Sequence, residues 1–298
     1  MSDIVIKTDG LTKDYGSGRG IFDVSLEVRR GEVFGFIGTN GSGKTTTIRN
    51  MMGFIRPDSG TVSVLGMDAW KKSIDIKPHV SYVPGEIAFP KLPRGTDLLK
   101  LQAEYLGVRD FGYMNKLIKL FQLDPTANLK RMSKGMKQKT ALVAALMGDR
   151  DILVLDEPTT GLDPLMREVF LDLVREEKNK GKTIFMSSHI FEEIEEVCDR
   201  TAMIKNGHIV DIIDVYALRH EKQKHFSAVF ENAFDALDFA QKNAFADCAV
   251  TGSECSIKCD VADIGALIKQ LSGYKLRALN EAHATLEDRF KRRMQDEG

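Results

Sequence analysis

No window of this sequence holds the roughly 18 uninterrupted apolar residues that a membrane-spanning helix needs. The opening stretch MSDIVIKTDG also lacks the basic region and long apolar run of a secretory leader. The expectation is a cytosolic protein whose contact with any membrane runs through a partner. Cysteine is scarce, with Cys198, Cys248, Cys255 and Cys259 only, and the last two are spaced i, i+4 in a stretch that reads as a strand. That is not the spacing of paired metal knuckles, so free thiols in a reducing compartment are expected. An excess of either charge is missing too, since 42 basic residues balance 43 acidic ones. The balance removes any global pull toward nucleic acid or anionic lipid, and no nucleic-acid partner is expected. What is present is core-forming material: 43% of 298 residues are hydrophobic, enough for one large domain and a smaller one.

From Val5 to about Val210, short β-rich runs alternate with helical stretches, the pattern of an α/β domain with a largely parallel sheet. VFGFI (33–37), ILVLD (152–156) and TIFMS (183–187) are nearly continuously apolar and are predicted as buried central strands. Between Pro90 and Met147 the β-rich runs give way to apolar residues at helical spacing in LLKLQAEYLG, YMNKLIKLFQL and QKTALVAALMG. A helical insertion over about 90–147 is predicted. After Asp211 the composition shifts, and the charged stretch RHEKQKH (219–225) reads as a solvated linker. The rest runs strand HFSAVF, helix AFDALDFAQ, strands around CAV and CSIKCDV, helix DIGALIKQL, strand YKLRAL and a closing basic helix LEDRFKRRM. That order predicts a small α/β unit of ferredoxin-like type. The domains are therefore expected at 1–218 and 219–298.

The strongest motif is Gly38-Thr39-Asn40-Gly41-Ser42-Gly43-Lys44-Thr45, a G-x-x-x-x-G-K-[ST] phosphate loop after a predicted strand and before a helix predicted over Thr46–Met52. Glycines let the backbone approach phosphate oxygens, and the new helix presents its positive end to the same anion. Lys44 is expected to bridge the β and γ phosphates of ATP and Thr45 to offer its hydroxyl to Mg²⁺. Asp156 and Glu157 end an apolar strand, with alternation predicting opposite faces and different tasks. Asp156 suits holding Mg²⁺ through the water around it, and Glu157 suits polarising the attacking water as general base.

With these motifs in order, the chain resembles an ABC ATPase from about Ile4 to Ile213. The resemblance implies a P-loop NTPase core with an antiparallel β-subdomain and a helical insertion. Thr159-Thr160-Gly161-Leu162-Asp163 resembles the D-loop, which places Asp163 near nucleotide. Ser187-Ser188-His189 resembles the switch-histidine motif, which assigns His189 to the γ-phosphate and the attacking water. Tyr15, in Leu-Thr-Lys-Asp-Tyr-Gly, resembles the aromatic that stacks on adenine. The loop residues from Gly38 through Thr46 are expected to hold the phosphates.

Two motifs depart from the family pattern. Where its signature loop reads Leu-Ser-Gly-Gly-Gln, this chain has Met132-Ser133-Lys134-Gly135-Met136. Ser133 and Gly135 are kept, and with Met136 they imply contact with the γ-phosphate held by an opposing subunit. In Ser81-Tyr82-Val83-Pro84-Gly85-Glu86, Gly85 stands where a metal-sensing glutamine is expected, and Glu86 is the substitute candidate for the metal contact. Both departures resemble the drug and lantibiotic exporter branch.

The resemblance implies an ATP-driven exporter motor: a head-to-tail homodimer clamping two ATP molecules, working at the inner face of the membrane on a separate membrane-spanning permease subunit. That permease is expected to grip the groove around Val83–Arg94. A soluble ABC ATPase acting on ribosomes or chromosomes is the alternative from another class. The single motif set and the short interval from Lys44 to Asp156 argue against it. A regulatory module that holds ATP without turnover is a third reading, opposed by Glu157 and His189.

Overall fold

The computed structural model describes residues 3–219, 223–243, 246–282, 285–287 and 289–291. It divides into two compact units, Met1–Val215 and Tyr216–Gly298. Among the described residues no helix is long and apolar enough to cross a membrane.

The first unit opens with strands β1 (Ile4–Asp14) and β2 (Gly20–Arg29), followed by β3 (Val33–Ile37) and helix α1 (Lys44–Met51). Strands β4 (Ser59–Val64) and β5 (Met67–Asp68), the short helix α2 (Ser73–Ile76) and strand β6 (Val80–Val83) come next. Helices α3 (Gly95–Leu106), α4 (Gly112–Leu120) and α5 (Lys134–Leu146) then run without an intervening strand, where the sequence predicts an insertion. The remainder alternates: β7 (Ile152–Asp156), α6 (Pro164–Asn179), β8 (Thr183–Ser188), α7 (Phe191–Val197), β9 (Arg200–Lys205) and β10 (His208–Asp214).

Two sheets result. The first, β2-β1-β4-β5, is antiparallel, and β1 and β2 alternate buried with more exposed residues, as strands with one wet face do. The second is ordered β10-β9-β3-β8-β7-β6, parallel except where β10 returns beside β9. Every residue of β3, β7 and β8 is buried, which is why these runs lack the alternation of the outer sheet. Phe185 of β8 lies between Phe34 and Phe36 of β3, with ring centroids 5.9 and 5.5 Å away. This packing fixes the register of the two strands whose ends carry the functional groups, and truncating Phe185 to alanine removes about 3–5 kcal/mol.

Helix boundaries follow local chemistry. Ser133 caps α5 by accepting from the Met136 amide at 3.2 Å, and Asp163 caps α6, ahead of Pro164 at the first helical position, by accepting from Met166 at 3.0 Å. Helix α1 starts at Lys44, two residues earlier than the sequence suggests, because Gly43 takes the left-handed cap conformation.

The second unit begins near the short helix α8 (Val215–Arg219). It contains β11 (Gln223–Phe230), α9 (Ala233–Lys242), β12 (Ala246–Thr251), β13 (Glu254–Asp260), α10 (Ile264–Leu271) and β14 (Leu276–Ala282). Its antiparallel sheet runs β12-β13-β11-β14, so each helix links two strands that flank a third, the ferredoxin-like split arrangement. Phe230, Phe239, Cys255, Ile257 and Cys259 sit in its core. The stretch read as linker is partly sheet: Gln223, Lys224 and His225 pair with β13, while residues 220–222 lie outside the described residues. Strand pairing satisfies their backbone groups, which overrides their charge-rich composition. Of the closing basic helix, residues 288 and 292–294 lie outside the described residues, and Leu286 and Phe290 are buried.

Candidate functional site

The phosphate loop connects the buried end of β3 to α1. Its glycines are demanded by space: a Cβ on Gly38 would stand 2.3 Å from the Ile204 carbonyl oxygen. Gly43 has φ near 113° and its Cβ would meet Ile21 at 2.6 Å. Larger residues would strain the backbone and push it from the position phosphate contact requires. Lys44 is almost wholly buried, and its Nζ donates to the carbonyls of Gly38 at 2.6 Å and Thr39 at 3.2 Å. The same Nζ lies 3.1 Å from Glu157 Oε1. A buried ammonium held this way is a preorganised cation for an incoming anion.

Glu157 follows β7 directly, but strand alternation does not orient it. Its φ of 49° turns the chain out of the strand, a left-handed conformation uncommon outside glycine, so the opposite-face expectation is replaced by a turn. Ser187, at the adjacent position of β8, stabilises that turn: its Oγ accepts from the Glu157 amide at 3.0 Å and donates to Asp156 Oδ1 at 2.7 Å. Glu157 Oε2 is 2.6 Å from His189 Nδ1. Because a carboxylate only accepts, Nδ1 carries the shared proton. Glu157 thus stands between a lysine and a histidine.

Asp156 is fully buried, and its Oδ2 has no hydrogen-bond partner among the described residues. A Cβ added at Gly85 would stand 3.1 Å from that oxygen, so glycine keeps the space beside it clear. An unpaired buried carboxylate oxygen is costly, and this one is chemically suited to accept from the water of a hydrated divalent cation. Burial, reinforced by the Asp156 charge, pushes the nearby Tyr82 phenol up to about 12, so it stays neutral.

Two open clefts share Asn40, Thr45 and Glu157. The one of about 280 Å³ is lined by Tyr15, Arg19, Gly41, Gly43, Lys44 and Thr46 besides. Tyr15 is half exposed there, as an aromatic platform for a flat base must be. The larger, about 650 Å³, adds Glu86, Lys134, Thr160, Arg167 and His189 among its walls. Ser42 lines neither, and its Oγ is buried. Ser133, Gly135 and Met136 line neither cleft of their own chain. Ser133 is exposed at the start of α5, and Met136 packs against Leu98, Leu129 and Met132. Asp163 is exposed and occupied as a helix cap.

Several participants escaped sequence reasoning. Gln138, buried in α5, donates to the Pro158 carbonyl at 2.8 Å and ties the signature helix to the turn after Glu157. Glu193, 1% exposed in α7, accepts from Thr159 Oγ1 at 3.0 Å and Ser188 Oγ at 2.8 Å. Arg167 Nε stands 3.2 Å from its other oxygen, close enough to pair but not aligned as a hydrogen bond. Burial holds the Glu193 carboxyl above its ordinary range, although both hydroxyls favour the ionised form. Only its place early in the helix that follows His189 could have hinted at it.

A buried lysine in a glycine loop, a polarised carboxylate and an orphaned aspartate oxygen at parallel strand ends define a nucleoside triphosphatase of the P-loop class. Comparison with known proteins narrows the class. The ABC transporter family model matches residues 21–160. The bacitracin transport ATP-binding protein of Bacillus licheniformis is 32% identical over 227 residues, covering 74% of this chain and 73% of that protein. A solved ATP-binding subunit of an ABC transporter is 29% identical, with a TM-score of 0.65 over 73% of this chain and 92% of its own. A dimeric ATP-binding cassette bound to ADP and Pi in a post-hydrolysis state shares the fold, at 21% identity and a TM-score of 0.61 over 70% and 98%. The chain belongs to the ABC transporter family and is an ATP-binding, ATP-hydrolysing subunit.

Proposed function

We propose that the chain drives export as a homodimer with two composite ATP sites, docked on a separate membrane-spanning permease. The observation that carries the reading is the Glu157 carboxylate, bridged between Lys44 and His189 at the mouth of the phosphate loop. In this reading Glu157 takes the proton of the attacking water, and His189 orients that water against the γ-phosphate. Lys44 and the loop amides from Gly38 to Thr46 hold the phosphates, and Tyr15 stacks on the base. Thr45, Asp156 and Glu86 would hold Mg²⁺, which when bound neutralises the charge that builds on the phosphates.

The composite site is supported by the place of Ser133. Neither Ser133 nor Gly135 lines a phosphate cleft of its own chain, while Lys134 between them lines the larger one, and the exposed Ser133 hydroxyl at the start of α5 would meet the nucleotide of a second copy. Asp163 would face the same interface. A groove of about 700 Å³ between core and helical insertion, lined by Phe54, Ile74, Tyr82 and Tyr105 among others, is offered for the permease; it lies beside the Val83–Arg94 stretch that the sequence points to, and no residue of that stretch lines it. Through that partner the chain would sit peripherally at the inner membrane face. The drug and lantibiotic branch is supported by the Ser-Lys-Gly-Met loop and by the bacitracin relative. The unit at 219–298 is assigned an accessory role, with no nucleotide motif of its own.

The test is the mass of Glu157→Gln by size exclusion with light scattering. With ATP and Mg²⁺ the variant should elute as a dimer and without ATP as a monomer. A monomer under both conditions refutes the sandwich.

A further inference from the structure

Beside the reacting groups, a buried titratable side chain collects more polar partners than packing alone accounts for. Glu193 is enclosed in α7, yet it is carboxylate rather than apolar, and its three partners come from three different segments. Each is close to the reacting groups, in sequence or in space. Ser188 precedes His189, Thr159 follows Glu157 by two residues, and Arg167 lines the same cleft as Glu157 and His189. Ser188 Oγ also accepts from the Ile190 amide at 3.0 Å, so the bend that carries His189 hangs on a hydroxyl oriented by Glu193. Tracing these contacts gives a closed ring: from Glu157 along the backbone to Thr159, across to Glu193, to Ser188, on to His189 and back to Glu157 at 2.6 Å.

We propose that Glu193 is the positioning residue of this ATPase: by accepting from Thr159 and Ser188 together, it sets the separation and approach of Glu157 and His189. The proposal rests on the reading of those two as the reacting pair. Physically, two loops each end at a strand tip and are free to move independently unless bonded. One carboxylate oxygen accepting from both removes that freedom, and the buried setting strengthens each bond. The ring also reaches the signature segment. A Cβ on Gly135 would stand 2.7 Å from the Gly161 carbonyl oxygen, and one on Gly161 would stand 2.9 Å from Lys134 Cγ. The loop held at Thr159 by Glu193 is therefore in contact with the segment expected to meet the second nucleotide. Loss of Glu193 uncouples the pair without removing any group that holds phosphate.

The experiment is steady-state ATP hydrolysis by the full chain carrying Glu193→Ala, Thr159→Val, both together, and Glu193→Gln, with unfolding midpoints measured for all. Glu193→Ala and Thr159→Val should each lower kcat about tenfold while KM for ATP stays within about twofold, a loss confined to the transition state. The double variant should be no slower than the worse single, since both break one ring. Glutamine keeps an acceptor for both hydroxyls and should restore kcat to within about threefold of wild type. A purely packing role would instead lower the unfolding midpoint and leave kcat of the folded fraction unchanged. Wild-type kcat in Thr159→Val, or losses that multiply in the double variant, overturns the proposal, and Thr159→Val decides the matter if Glu193→Ala does not fold. Glu157→Gln and His189→Ala run alongside as controls. If these keep wild-type turnover, the reading of the reacting pair fails; if they lose it while Thr159→Val does not, only the role of Glu193 falls.

Discussion

Replacing Glu157 by glutamine should separate binding from turnover, and the structure sets both magnitudes. The change keeps the shape of the side chain and removes the charge that stands 3.1 Å from Lys44 Nζ and 2.6 Å from His189 Nδ1. At an effective dielectric constant near 20, the Lys44 contact is a gross attraction of about 5 kcal/mol. Phosphate competes with that carboxylate for the same ammonium, and both side chains are largely buried. Desolvation cancels most of the gross figure, leaving about 1–2 kcal/mol. ATP should therefore bind roughly 5- to 30-fold more tightly to the variant. Turnover moves the other way, because a positioned general base contributes about 100-fold or more, and kcat should fall about 100- to 1000-fold. Equilibrium binding of a fluorescent ATP analogue reads the first effect and phosphate release reads the second. A variant that hydrolyses ATP within threefold of the wild-type rate would show that Glu157 is not the base. Weaker binding would show that the Lys44 contact does not oppose phosphate.

Three further outcomes are expected. Lys44→Ala removes the only ammonium donating to the carbonyls of the phosphate loop among the described residues, and ATP affinity should drop at least about 100-fold, about 2.7 kcal/mol, by calorimetric titration. Glu86 is exposed in the larger cleft, and Glu86→Ala should raise the Mg²⁺ concentration for half-maximal hydrolysis severalfold; an unchanged Mg²⁺ curve would remove it from the metal site. Glu177 in α6 tests the electrostatics of the scaffold. Burial alone would raise its carboxyl, but ion pairs with Lys180 and Lys182 and the Tyr113 hydroxyl donated at 2.7 Å outweigh it and hold it below the ordinary range. A depressed carboxyl contributes stability that is full above its unfolded value and is lost as pH falls through its folded value. Glu177→Gln should thus cost on the order of 2–3 kcal/mol at pH 7, with the gap in denaturant midpoint closing below about pH 4. A gap independent of pH would refute the assignment.

The sequence determined what depends on neighbours along the chain. The glycines and lysine of the phosphate loop, the continuously apolar runs of β3, β7 and β8, and the alternation of strand and helix are local requirements, legible because backbone geometry and burial act residue by residue. Even the split order of the small second unit could be read from element type alone, since short connections leave few ways to close four strands and two helices. Tertiary structure decided what depends on convergence. Strand alternation could not place Glu157, because a hydroxyl on the next strand, Ser187, holds it in a left-handed turn. The run Glu192, Glu193, Glu195, Glu196 offers four similar carboxylates, and only the phase of α7 against β8 turns one of them inward to Thr159 and Ser188. Which side chains occupy one cleft is likewise set by long-range packing: Lys134 joins Glu157 and His189, while Ser133, its neighbour, does not line that cleft. Chemistry is written in residue types, but distances between residues far apart in sequence exist only once the core has closed around them.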